Sequence, residues 1–181
     1  MNRYFIAILP PQHIQDYANE VKQHFVEQYA SWGAQNSPPH ITLQPPFLLA
    51  KEQVAILETF LEDFAKNKNS LPITLDGFAA FPPRVIYINV IKSQALLKLQ
   101  SDLVNDVESK LGIKPKGGNH NSFTPHLTVA RRDLKKSDFY LAWDEFKQRQ
   151  VYFEFVAENL TLLLHDGKKW NVKFEFHLNQ T

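Results

Sequence analysis

One short pattern occurs twice in this chain of 181 residues. Residues 39–43 (Pro-His-Ile-Thr-Leu) and 125–129 (Pro-His-Leu-Thr-Val) both contain proline, histidine, an apolar residue, threonine and a second apolar residue, in that order. Such alternation is typical of a strand that has one face in a core. Each segment is therefore predicted to be a short strand that anchors its apolar residues in the core and turns its histidine and threonine to the other face.

The rest of the chain predicts alternating helices and strands. Helices are expected over residues 12–29, 51–66, 94–111 (ended by Gly112) and from an N-cap at Ser137 to Phe146. Strands are expected over residues 4–9, 40–47 (shortened by Pro45 and Pro46), 72–81, 85–91, 125–130, 151–156, 159–165 and 170–178. This order predicts an α+β fold with mixed sheets, in one domain over residues 1–181. Because both histidine segments follow a helix and a loop, two similar lobes are expected to face each other.

Composition excludes several classes of function. The chain has no cysteine, which rules out disulfides, thiolate catalysis and cysteine-based zinc sites. A formal net charge of +1 argues against a protein that coats long duplexes, but it permits binding of one nucleotide or one RNA end. No apolar run approaches the roughly 20 residues that span a bilayer, and the apolar run at residues 4–9 is too short for a signal peptide. We therefore expect a soluble, cytoplasmic protein without a membrane partner.

Two histidines and two threonines around one cavity suit the chemistry of a phosphodiester. One neutral imidazole can take a proton from the attacking group while the other, as imidazolium, gives a proton to the leaving oxygen. Histidine fits both roles because its ordinary pKa lies near 6.5. Threonine hydroxyls can donate to the non-bridging phosphate oxygens. His40 and His126 are thus the predicted catalytic residues, Thr42 and Thr128 the predicted phosphate binders, and no cofactor is expected.

Other phosphate or metal chemistry has weaker support. His40, His120 and His126 are a conceivable metal set, but carboxylates or cysteines at ligand spacing are missing. The glycine pair at residues 117–118 lacks the spacing and the following Lys-Ser/Thr of a phosphate-binding loop. We therefore expect no metal site.

The paired segments resemble the His-x-Thr motifs of the 2H phosphoesterase superfamily, specifically those of its 2′-5′ RNA ligase-like (LigT-like) branch. The likeness includes the strand at residues 4–9, residues 81–87 (Phe-Pro-Pro-Arg-Val-Ile-Tyr) and residues 123–131, which fit Phe-x-Pro-His-x-Thr-x-Ala-Arg. It covers nearly the whole chain in element order, and its specific part is the two motifs. Similar proteins hydrolyse RNA 2′,3′-cyclic phosphates, and some join or cleave 2′-5′ linked RNA.

The resemblance implies a bilobal fold, with two facing antiparallel or mixed sheets, helices outside and a central cleft. It makes His40 and His126 the acid–base pair, and Thr42 and Thr128 the phosphate binders. The expected activity is metal-independent hydrolysis of RNA or nucleotide 2′,3′-cyclic phosphates to 2′-phosphates, with 2′-5′ RNA ligation as a further activity. We expect His40 to protonate the leaving 3′ oxygen and His126 to activate water. The expected substrate is an RNA 3′ end or a small nucleotide, bound by a monomer.

Two arginines follow the second motif. Arg131 matches a basic position of the family. Strand alternation points Arg131 away from the face of His126, unless the strand bends, and returns Arg132 to it. One of the two is expected to contact phosphate, unless both belong to a solvated strand end.

Two aromatic residues and two lysines are weaker candidates. Phe47 is expected to stack on a base or to fill the core, and the core role is favoured. The family likeness alone places Tyr87 at the cleft. Lys114 and Lys116 either attract an RNA tail or are simply solvated.

Two other functions compete with this interpretation. One is a phosphodiesterase for a small nucleotide, such as a cyclic phosphate of ADP-ribose or a 2′-5′ oligonucleotide, which suits the near-neutral charge. The other is a module that binds a nucleotide without turnover. The presence of both histidines and both threonines favours catalysis.

Overall fold

The chain forms helices and strands in the order that the sequence predicts. The computed structural model describes residues 1–114 and 122–180. The strands of this part are β1 (Asn2–Ile8), β2 (Ile41–Leu49), β3 (Leu71–Phe81), β4 (Val85–Val90), β5 (His126–Ala130), β6 (Tyr152–Ala157), β7 (Asn159–His165) and β8 (Trp170–His177). The helices are α1 (Gln12–Tyr29), α2 (Val54–Lys66), α3 (Gln94–Leu111) and α4 (Lys136–Phe146), and short 3-10 turns lie at Gly33–Asn36 and Lys51–Gln53.

The strands form two sheets of the same design. Sheet 1 has the order β2-β1-β7-β8 and sheet 2 has the order β5-β4-β3-β6. In each sheet the strand of a histidine motif lies at one edge and pairs with the strand that leads into the preceding helix. The α+β class is confirmed, but all the paired strands are antiparallel rather than mixed. In sheet 1 the reason is that residues 30–40 bring the chain back from α1, so that Ile41 pairs with Ile8.

One apolar core extends through both sheets. Helix α1, which follows a strand of sheet 1, packs on β5 of sheet 2, and α3 packs on β2 of sheet 1 in the reciprocal way. On α3, Gln100 Nε2 donates to the Leu43 carbonyl O over 3.3 Å. Strands β2 and β5 also contact each other. The crossed helices therefore hold the two histidine strands side by side.

Helices α1 and α3 have the apolar spacing and the ends that the sequence predicts. Phe25 is fully buried on α1, and burial of such a side chain contributes about 1.5–3 kcal/mol. Helix α3 begins with Ser93, whose Oγ accepts from Leu96 N over 3.1 Å, a cap that contributes about 1 kcal/mol. It ends at Gly112, whose φ of 68° is the left-handed conformation that glycine adopts without strain. Within the described residues, no helix has the length and apolar character needed to cross a membrane.

Three predicted boundaries are wrong. Helix α2 begins at Val54, because residues 51–53 form a separate 3-10 turn. Strand β2 continues through Pro45 and Pro46 to Leu49, because it is an edge strand and the pairing with β1 shifts register at these prolines. An irregular edge tolerates residues that cannot donate to the ladder. Helix α4 begins at Lys136, and its N-cap is Lys135 rather than Ser137. Phe139 N donates to the Lys135 carbonyl O over 2.8 Å, which places Ser137 inside the first turn.

Candidate active site

The two motifs meet at one cavity of about 160 Å³ between the sheets. Its lining consists of Phe5, Ala34, Ser37, His40, Thr42, Pro46, His126, Thr128, Arg131 and Trp170. Cavities that enclose drug-sized ligands usually have about 300–1,000 Å³. This cavity is smaller than that, so a whole nucleotide would not fit inside it.

The motifs have the same pattern of burial. In residues 39–43 and in residues 125–129, buried and half-buried positions alternate. Ile41 and Leu127 are fully buried in the core, whereas the histidine and threonine of each motif are half-buried and reach the cavity. The side chains of both motifs therefore point in the directions that strand alternation predicts. One cavity is lined by His40, Thr42, His126 and Thr128.

Each histidine is oriented by the backbone just before it. His40 Nδ1 lies 2.7 Å from the Pro38 carbonyl O, and His126 Nδ1 lies 2.7 Å from the Thr124 carbonyl O. A carbonyl oxygen only accepts, so in both rings Nδ1 has the proton and donates it. The other nitrogen, Nε2, is then free to accept a proton in the neutral ring or to give one in the charged ring. The residue between ring and carbonyl is a proline, whose fixed φ gives both segments the same entry into the strand.

Aromatic rings pack beside both imidazoles. The centroid of the Phe5 ring lies 4.8 Å from that of His40. The rings of Phe81 and Tyr87 each lie 5.1 Å from that of His126. These neighbours remove water from one side of each imidazole, which disfavours its charged form.

Burial accordingly lowers the pKa of both histidines. The pKa of His40 falls to about 4, mainly through burial, with further lowering by the positive charges of Lys22, Arg131 and His126. The hydrogen bond to Pro38 opposes this shift. Burial also lowers the pKa of His126, against the effect of its bond to Thr124. Both rings are therefore neutral near pH 7 in the free protein, and His40 is the harder of the two to protonate.

Of the two arginines, Arg131 lines the cavity and Arg132 does not. The prediction from alternation is wrong here because β5 ends at Ala130 and Arg131 belongs to the following turn. A Cβ on Gly33 would lie 3.4 Å from the Cβ of Arg131, so the loop after α1 packs closely against this turn. Arg132 is exposed.

The loop after α1 is tied to that turn by Asp133. Its Oδ1 accepts from Ser31 Oγ over 3.0 Å, and its Oδ2 accepts from the backbone N of Trp32 and Gly33 over 2.6 and 2.8 Å. These bonds join a segment before β2 to a segment after β5, and they bring Ala34 to the cavity wall.

The predicted aromatic candidates lie outside the cavity lining. Phe47 is buried in the main core, with its ring centroid 6.2 Å from that of Tyr4. Tyr87 is 5% exposed and packs beside His126, so it supports the imidazole from the protein side.

Some residues at the site have no sequence prediction. Phe5 and Trp170 form an edge-to-face pair, with centroids 4.6 Å apart, on one wall of the cavity. The signal for Phe5 is that β1 is apolar at successive positions, which requires a covering on both faces. Lys22 belongs to the buried stripe of α1, where its spacing after Ala18 marks it as a lysine in an apolar position.

No group of three histidine, aspartate or glutamate side chains is placed to hold a metal ion within residues 1–114 and 122–180. His120, the third member of the conceivable metal set, lies outside the described residues, as do Lys116 and the glycine pair at 117–118. Lys114 is described and exposed, and it lines a neighbouring groove instead of the cavity.

Sequence comparison identifies relatives of nearly the same length. The sequence model of the 2′-5′ RNA ligase superfamily matches residues 10–169. A protein of Geobacillus kaustophilus, named provisionally as a phosphoesterase, is 30% identical over 173 residues, which are 94% of this chain and 92% of that protein. A relative from Bacillus pumilus with the same provisional name is 26% identical over 181 residues, covering 98% of both chains.

Solved structures of other proteins have the same fold. E. coli LigT complexed with 3′-AMP superposes with a TM-score of 0.71 at 19% identity, over 99% of both chains. The protein TT0787 of Thermus thermophilus gives a TM-score of 0.70 at 22% identity, over 97% of both chains. At these identities the likeness establishes the fold, and it confirms the predicted LigT-like architecture.

Proposed function

The chain belongs to the 2′-5′ RNA ligase superfamily, and from this premise we propose that it hydrolyses 2′,3′-cyclic phosphates of RNA ends or nucleotides to 2′-phosphates. The activity of the family is of the phosphoesterase or 2′-5′ RNA ligase type. The observation that carries the finer proposal is the pair of equivalent Nδ1 hydrogen bonds, which leaves two Nε2 atoms free at one cavity. A pair of proton-transfer groups is what an in-line displacement at phosphorus requires.

In the proposed reaction, water attacks phosphorus while the bond to the 3′ oxygen breaks. One imidazole takes a proton from water at Nε2, and the other gives its Nε2 proton to the leaving 3′ oxygen, which becomes a hydroxyl. The hydroxyls of Thr42 and Thr128 donate to the non-bridging oxygens, and Arg131 balances the phosphate charge. Both proton transfers use side chains, so the scheme proceeds without a metal ion.

We assign the base to His40 and the acid to His126, which reverses the direction expected from the sequence. Burial, and then the charges of Lys22 and Arg131, disfavour the charged form of His40, so this ring is held in the neutral form that a base needs before the reaction. His126 has its pKa lowered mainly by burial. A bound phosphate brings negative charge, which favours the protonated form and so prepares His126 as the acid.

The same groups account for ligation. If a 5′-hydroxyl of RNA replaces water as the attacking group, the base takes its proton and the product has a 2′-5′ linkage. The choice between hydrolysis and ligation then depends on which nucleophile reaches the phosphorus.

An RNA 3′ end fits the surroundings of the cavity. The cavity shares Pro46 with a groove of about 450 Å³, whose described lining includes Arg3 and Lys114 and no aspartate or glutamate. Such a basic groove suits the phosphates of the nucleotides that precede a cyclic end. The small-nucleotide alternative is supported by LigT, which has been solved with 3′-AMP.

The experiment is turnover in the presence of EDTA. Purified protein is incubated with 2′,3′-cyclic mononucleotides and with an RNA oligomer that ends in a cyclic phosphate, and the products are separated. We expect 2′-phosphates, no loss of rate with EDTA, and faster reaction of the oligomer. Tight binding without turnover would identify the non-catalytic module instead, and a preference for the mononucleotide would favour the small-nucleotide enzyme.

We also propose that residues 1–181 act as one two-lobed domain and as a monomer. One core extends through both sheets, and residues of both sheets complete a single cavity. Light scattering of the active protein should give a mass near 21.0 kDa.

A further inference from the structure

Lys22 is a charged residue in an apolar position. It lies on the buried stripe of α1, and 2% of its surface is exposed. Its Nζ donates to the Ser37 carbonyl O over 2.9 Å, and no carboxylate of the described residues forms an ion pair with it. A buried ammonium is costly unless an opposite charge accompanies it. The missing anion is therefore expected to come from outside the chain.

Lys22 is connected through the backbone to His40, the proposed base. Ser37, whose carbonyl it binds, lines the cavity. The next carbonyl along the chain, that of Pro38, accepts from His40 Nδ1. Two adjacent carbonyls thus connect the lysine to the imidazole, and a shift of one would move the other.

The charges around this position are predominantly positive. Burial and then the charge of Arg131 lower the pKa of Lys22 to about 8, so at pH 7 the amine is still largely protonated. Arg131 and His40 face it, with His126 across the cavity. The carboxylate of Asp133 follows Arg131 by two residues, and donors of residues 31–33 occupy it. No aspartate or glutamate is among the described residues that line the cavity.

We propose that Lys22 is a positioning residue for the reaction proposed above. Its ammonium fixes the backbone that orients His40, and its positive charge, which adds to the effect of burial on that imidazole, draws a phosphate group toward the cavity. The inference rests on the proposed function for its consequence in turnover. Its predictions for phosphate affinity and for the titration of His40 can be measured whether or not the protein turns over a cyclic phosphate.

The first test separates the charge from the hydrogen bond. Lys22→Gln retains a donor for the Ser37 carbonyl but removes the charge, whereas Lys22→Arg retains both. In Lys22→Gln we expect inorganic phosphate to bind about tenfold more weakly, as loss of one poorly screened charge predicts. We also expect the NMR titration of His40 to move to higher pH, with the acid limb of kcat/KM following it. Lys22→Arg should restore both, and Lys110→Gln, on an exposed side chain, is the matched control.

The second test uses the wild-type protein alone and so does not depend on how the variants fold. Above pH 8, deprotonation of Lys22 should weaken the binding of inorganic phosphate, although phosphate keeps its charge and Arg131 stays protonated. Phosphate affinity that is constant from pH 8 to 10, or an unchanged His40 titration in a folded Lys22→Gln protein, would overturn the proposal. If no cyclic phosphate is turned over, the proposed function fails, while the phosphate and titration results still decide the role of Lys22.

Discussion

His40 and His126 enter their strands in the same way and have different neighbours. Each follows a proline, each donates from Nδ1 to a carbonyl over 2.7 Å, and each lies half-buried at the edge of a four-stranded sheet. His40, however, lies near the cations Lys22 and Arg131, whereas His126 lies against two aromatic rings.

The difference shows how one motif can serve two roles. The local pattern determines the tautomer and the direction of the ring, because both are set within three residues of the histidine. The ease of protonation depends first on burial and then, for His40, on charges from other elements such as Lys22 on α1. Duplication of a strand therefore supplies two similar imidazoles, and their different surroundings give them different tendencies to take up a proton.

Removal of either histidine should have the largest effect on activity, and it tests whether the two rings contribute equally. We expect His40→Ala and His126→Ala each to lower kcat by about 10²–10⁴-fold toward a cyclic phosphate, since each removes one proton transfer. The double variant should be little worse than the poorer single variant, because the two groups act in one step. Steady-state kinetics with 2′,3′-cyclic nucleotides measure this, with exposed His177→Ala as the control. Full activity in either single variant would refute the acid–base scheme.

The pH dependence of stability tests whether the pKa of His40 is lowered in the folded protein. The pKa of His40 is about 4 in the folded protein, below the ordinary 6.5, so the unfolded chain binds its proton more readily. The contribution of neutral His40 to the free energy of unfolding is fully present above pH 6.5. It is lost as the pH falls toward 4, by up to about 3 kcal/mol. Urea unfolding at several pH values measures the loss, and His40→Asn should reduce the slope in this window. Parallel curves for the two proteins would contradict the shift.

Much of this site was predictable because its signals are local. Strand alternation at residues 39–43 and 125–129 determines which side chains reach the cavity, and the repeat indicates that two such strands meet. The orientation of Arg131 was not predictable, since the turn that follows Ala130 is held by contacts with the distant loop at residues 31–33. The shift at Pro45 and Pro46 depends likewise on pairing with β1, which the sequence of β2 does not contain.

Lys22 is a further residue whose role cannot be predicted from the sequence alone. Its place on an apolar stripe is visible in the sequence, and many lysines at such positions extend their charge to solvent. Only the packing of α1 on β5 and the bond to Ser37 place the ammonium near the cavity. The sequence shows that a lysine occupies an apolar position, but only the tertiary structure shows that its ammonium lies near the cavity.

Replacement of a threonine should lower activity less than removal of a histidine, and the loss should be similar for the two motifs. Replacement of Thr42 or Thr128 by valine removes one hydroxyl donor near the phosphate and keeps the strand-forming shape. We expect kcat/KM to fall by about 10- to 100-fold in each case, the value of a hydrogen bond to a charged group. The same kinetics measure it, and Thr59→Val on the exposed face of α2 is the control. A large loss in one variant with none in the other would show that only one half of the cavity holds the phosphate.

The smallest effect concerns the groove that Arg3 and Lys114 line beside β1 and β2. Arg3 and Lys114 are exposed, and each should contribute only about two- to fivefold to oligomer binding at low salt, the range of solvent-exposed charge pairs. We expect Arg3→Ser and Lys114→Ser to raise KM for a cyclic-phosphate RNA oligomer and to leave KM for a cyclic mononucleotide unchanged. Lys92→Ser, at an exposed position outside the groove, is the control. Because Arg3 also stacks over Trp170 at 5.2 Å, Lys114→Ser is the cleaner test. Equal effects on both substrates would remove the groove from the substrate path and favour a small nucleotide as the substrate.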